Sequence, residues 1–159
     1  MSRKDSDKYS NDMKRIVLTI WLLVFATTAF AQGGLMINQA FQGGISGKDK
    51  TETRISGKRL KPYKLSLYRL CKAHVSEADL ERMTGWILKD AEPASDKETR
   101  YQDEKLVYAL IRLEDPEVGN KYICFQVKSK NNLDNTYGVT LVYLEGKVAL
   151  EDLEEIFNK

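Results

Sequence analysis

The sequence predicts an α+β fold: two layers, a mainly antiparallel sheet of about five strands, and helices on one face. Three observations carry that class. Residues 105–113, 121–129 and 136–144 are strand-like and follow one another through short turns, which gives an antiparallel meander. Residue Ser76 opens a stretch with helical periodicity that closes before Pro93. The chain then ends on a second amphipathic stretch, with Leu150, Leu153 and Phe157 on one helical face.

The N-terminus reads as an export leader. Lys14 and Arg15 precede an apolar run from Ile16, and Ala29-Phe30-Ala31 supplies the small residues a signal peptidase accepts. The apolar run, of about 13 residues, is short of the roughly 20 that span a bilayer. The expectation is a polar extension over 1–12, a signal peptide over 13–31 with cleavage after Ala31, and a single α+β domain over 32–159. That places the protein in the periplasm or outside the cell, with no stable membrane span after cleavage.

Removing the first 31 of 159 residues leaves 128, enough for one domain with one core. The same cut takes five Lys/Arg and three Asp/Glu from totals of 25 and 23, leaving 20 of each sign. A balanced charge gives no reason to expect nucleic acid as a partner. The charge is unevenly spread, because residues 48–72 hold nine Lys/Arg against Asp49 and Glu52. That basic segment could meet anionic glycan or lipid; the plainer reading is neutralisation by acidic neighbours across the fold.

The remaining elements follow in order. Ile37, Ala40 and Phe41 share a face of a short helix over 35–41, between two Gly-Gly pairs. The tetrapeptide at 45–48, Ile-Ser-Gly-Lys, recurs at 55–58 and reads as two similar turns around a strand at 51–55. Pro62 introduces a strand over 63–72, with Leu65 and Leu67 facing one way and Lys64, Ser66 and Tyr68 the other. In the helix that follows, Ser76 is placed to cap, Glu77 and Asp79 suit the positive end, and Val75 with Leu80 has staple spacing. Leu80, Met83, Ile87 and Ala91 form its apolar stripe, with Trp86 and Leu88 beside it. Residues 94–102 are polar and read as a loop. The order predicted is α-β-β-α-β-β-β-α.

The segments at 60–68 (LKPYKLSLY) and 144–153 (LEGKVALEDL) resemble small secreted proteins of the Bacteroides group, in families of unknown function. That resemblance implies an envelope or extracellular location in a Gram-negative bacterium. It supplies no catalytic residue.

Motifs for chemistry are weak. His74 is the single histidine, and three residues from Cys71 on a strand it faces the other way. Gly47-Lys48 fails as a phosphate loop, with Gln42 and Asp49 where Gly and Ser/Thr are needed. Glu114, Asp115 and Glu117 lack the alternation of a calcium loop. No catalytic residue, metal or cofactor is therefore assigned, and a thiol- or carboxylate-dependent enzyme is the weaker alternative. Cys71 and Cys124 could be bridged in an oxidising compartment, closing a loop of about 50 residues worth roughly 3–4 kcal/mol. The alternative is two separate buried thiols.

The strand faces opposite the core carry the strongest set: Tyr68, Tyr108, Arg112, Tyr122, Gln126 and Lys128, with Lys64 and Ser66. Tyrosine among polar side chains makes recognition surface, its ring adding area and its hydroxyl a hydrogen bond. The function expected is a non-catalytic binding module for an envelope protein or a glycan.

Overall fold

A computed structural model describes residues 34–157. The leader expected over 1–31 lies outside them. The chain runs α1 (Asn38–Phe41), β1 (Lys48–Ser56), a 3₁₀ turn (Lys58–Tyr63), β2 (Leu65–Val75), α2 (Glu77–Asp90), β3 (Asp96–Gln102), β4 (Lys105–Asp115), β5 (Gly119–Asn131), β6 (Thr136–Gly146) and α3 (Leu150–Phe157). All six strands join one open antiparallel sheet in the order β1-β2-β6-β5-β4-β3. Among the described residues no helix is long and apolar enough to cross a membrane.

The meander β4-β5-β6 forms as its short turns dictate. The Asp115 side chain closes the first turn by accepting from the backbone N–H groups of Glu117 and Val118, at 2.9 and 3.2 Å. The sixth strand, β3, arises from the stretch expected as a loop. Its sequence DKETRYQ has no apolar alternation because it is an edge strand with little to bury, and its charges deter edge-to-edge pairing. A two-residue turn, Asp103-Glu104, folds β3 onto β4 with both residues at positive φ, as such tight hairpins require.

Helix α2 starts where its cap predicts: Ser76 Oγ accepts from the Asp79 N–H at 3.2 Å. Leu80, Met83, Trp86, Ile87 and Ala91 are buried, and the helix ends three residues before Pro93. It lies on the sheet face that carries Ala73, Phe125, Val127, Tyr137 and Leu141. The segment around α1 is clipped to α2 by two buried carboxylates. Asp90 accepts from the N–H of Met36 and Ile37 at 2.7 and 2.9 Å, and Asp79 from Ser46 at 3.2 Å.

The helices do not share one face. Leu153 and Leu150 of α3 pack with Leu144, Tyr122, Tyr68 and Ile55, residues that pair across β6, β5, β2 and β1 on the side away from α2. A bulge between Leu65 and Leu67 parts those two leucines, and Leu65 joins this cluster. The result is a sheet whose one face is covered by α1 and α2 and whose other face carries α3 at one end.

Candidate functional site: the uncovered sheet face

Strand register decides which side chains meet on the α3 side. One row runs Ile55, Tyr68, Leu144, Tyr122 and Arg112 and lies at α3. The next runs Thr53, Leu70, Val142, Cys124 and Leu110. A third runs Thr51, Lys72, Thr140, Gln126 and Tyr108. Beyond it His74 pairs with Gly138, and the Lys128 side chain passes 3.4 Å from where a Gly138 side chain would begin. The six residues picked from the sequence therefore do share a face.

They do not share an environment. Tyr122 is fully buried, and its hydroxyl donates to the Val148 carbonyl at 2.7 Å, so it anchors the chain into α3 and is closed to a ligand. Arg100 stacks over the Tyr108 ring at 4.1 Å, which covers the outward π face. Tyr68 is half-buried beside the α3 cluster. Arg112 is half-buried too, and its buried Nε has no acceptor among the described residues. Gln126 and Lys128 are exposed. Burial raises the phenol pKa of Tyr68, Tyr108 and Tyr122.

What sequence reading missed is the middle row. Leu70, Val142, Cys124 and Leu110 are half-buried side chains aligned across four strands, with no helix packed on them among the described residues. The signal was present: β4 is apolar on both faces, which a strand with one wet side does not need.

The cysteines lie on opposite sides. Cys71 pairs with Leu141 and Cys124 with Val142, so the sheet itself separates the thiols. Both are free, and the bridge left open by the sequence does not form. Burial raises the Cys71 thiol and pushes Cys124 up to about 12, so both are protonated at neutral pH. His74, on the Cys124 side, has Asp49 at 3.9 Å and not Cys71 as its neighbour. Among the described residues no three His, Cys, Asp or Glu side chains group as metal ligands.

The basic segment is dispersed by the fold. Lys50 pairs with Glu52 at 2.7 Å, Lys64 with Asp152 at 3.4 Å, and Arg69 stacks on Phe41 at 4.0 Å on the α2 side. Lys72 alone of these projects from the middle of the uncovered face.

The chain belongs to DUF6108, a family of unknown function, whose match covers residues 24–157. No curated protein and no solved structure matches it.

Proposed function

We propose that the protein is an exported, non-catalytic binding module whose contact surface is the uncovered sheet face. One observation carries this reading: the aligned row Leu70, Val142, Cys124 and Leu110, flanked by Lys72, Gln126 and Lys128. A contiguous apolar strip rimmed by polar groups is the ordinary makeup of an interaction site. The ligand is a protein in preference to a glycan. Sugar stacking needs an open aromatic face, and Tyr122 is buried while Tyr108 is capped by Arg100. Export rests on the sequence of 13–31 and places the contact in the periplasm or outside the cell.

Two measurements test the reading. The intact mass of the native protein should match residues 32–159; retention of the N-terminus would remove the export half. For the face, a photo-crosslinking residue is placed at Val142 and, as a control, at exposed Lys97 on the β3 edge. Covalent capture of one discrete partner from Val142 alone, abolished by Leu70→Asp in a protein of unchanged fold, is the expected result. Equal capture from both positions would sink the assignment.

A further inference from the structure

We infer that the uncovered face takes an acidic amphipathic helix from a partner protein, laid beside α3. This rests on the face being the contact surface, and it names the chemistry of what binds there. The molecule already holds one example. α3 presents Leu150 and Leu153 to the sheet and keeps Glu151 and Asp152 exposed, with Asp152 paired to Lys64. The row it uses ends in Leu144 and Tyr122, both fully buried beneath it.

The unoccupied remainder repeats that chemistry. Packed helices lie about 8–10 Å apart, and same-face rows on a strand are about 7 Å apart. A helix beside α3 therefore rests over Leu70, Val142, Cys124 and Leu110, an apolar seat for its stripe. Its far flank then falls over the row of Lys72 and Gln126 and towards Lys128. Among the described residues neither Lys72 nor Lys128 has a carboxylate within ion-pair distance, although Lys64, Lys89, Lys105 and Lys121 each do. The other charges on this side are accounted for locally. Arg100 lies 3.7 Å from Glu98 on β3, and His74 faces Asp49. A partner segment with carboxylates on one flank and aliphatic residues below would meet an apolar floor and two uncommitted cations. A basic or all-polar segment would meet like charge or leave the floor wet.

The probe is a synthetic peptide copying residues 148–159, titrated into the ¹⁵N-labelled full chain, beside a copy with its acids replaced by lysine. The expected result is saturable shifts of the Leu70, Lys72, Cys124, Gln126 and Thr140 amides with the acidic peptide only. A Lys72→Glu, Lys128→Glu double variant, folded by the same spectrum, should bind it roughly tenfold more weakly. The same variant should gain affinity for the lysine peptide. Equal binding of both peptides would overturn the inference. So would shifts confined to Tyr68, Tyr122 and Leu144, which mean replacement of α3 in its own seat. Concentration-dependent dimerisation that protects the same amides would put a second copy where the partner is placed, and would also overturn it. If the acidic peptide fails while Val142 still captures a partner, the face stands and the acidic helix falls. If both fail, the face itself falls.

Discussion

Gly85 sits in the interior of α2 with nothing within 4 Å of the side chain it lacks. Glycine there costs helix stability and serves no packing need, so Gly85→Ala should stabilise the protein by about 1 kcal/mol. Gly146 is the opposite case. A methyl group there would stand 2.7 Å from Leu65 Cα, where the end of β6 crosses the start of β2 and Lys64 O accepts from the Lys147 N–H at 2.9 Å. Gly146→Ala must push two backbones apart, and chemical denaturation should show a loss of about 2–4 kcal/mol. Either sign reversed would mean that the strand crossing or the helix face is misplaced. Gly146 was readable in the sequence as a strand terminus. Its close approach was not, because it depends on a partner about 80 residues away.

At Asp115 the local hydrogen bonds have a pH consequence. Lys121 at 2.5 Å, then the Glu117 and Val118 N–H groups, hold the carboxyl at about 2, below its ordinary 3.8. A depressed carboxyl adds stability above its unfolded pKa, and that stability is lost as pH falls from about 4 towards 2. The melting temperature of the Asp115→Asn variant should therefore converge on that of the wild type as pH drops through this window. A constant gap from pH 7 to pH 2 would refute the linkage. Asp90 has the opposite sign, since burial raises its carboxyl despite the Met36 and Ile37 N–H groups, and it favours the fold at lower pH.

Among the elements, those with apolar periodicity were legible and those held by backbone pairing alone were not. α2 could be placed to its cap from Ser76, Val75 and Leu80, since each acts within one turn. β3 could not, because an edge strand of charged residues has no pattern to detect; only its ladder to β4 makes it a strand. The hairpin that creates it carries a removable cost. Glu104 holds φ 63°, a conformation that a side chain other than Gly, Asn or Asp disfavours. Glu104→Gly should stabilise the hairpin by up to about 1 kcal/mol, read as slower amide exchange in residues 96–102. Faster exchange there would show that the glutamate side chain, and not the turn geometry, supports the strand.

At the scale of the whole molecule, sheet order is what the sequence least discloses. The meander β4-β5-β6 follows from short turns, but the seating of β2 against β6 is made by residues more than 60 positions apart. That pairing sets the site. It aligns Leu70 with Val142 and so completes the uncovered row, and it carries α2 to one side and leaves the other for α3. The same register separates the two cysteines. Cys71 shares its face with Leu141 and Phe125, and Cys124 shares the other with Val142 and Leu70. Strand pleating makes these directions obligatory, so no side-chain rotation brings the sulfurs within bonding reach. A chain exported into an oxidising compartment should therefore keep both thiols. Two alkyl groups should add on denaturation without any reductant, and reductant should leave the melting temperature unchanged. In the native protein Cys124, half-buried on the uncovered face, should label before the fully buried Cys71, and a bound partner should suppress that first label alone. Labelling that needs reductant would mean a different strand register, and with it a different face.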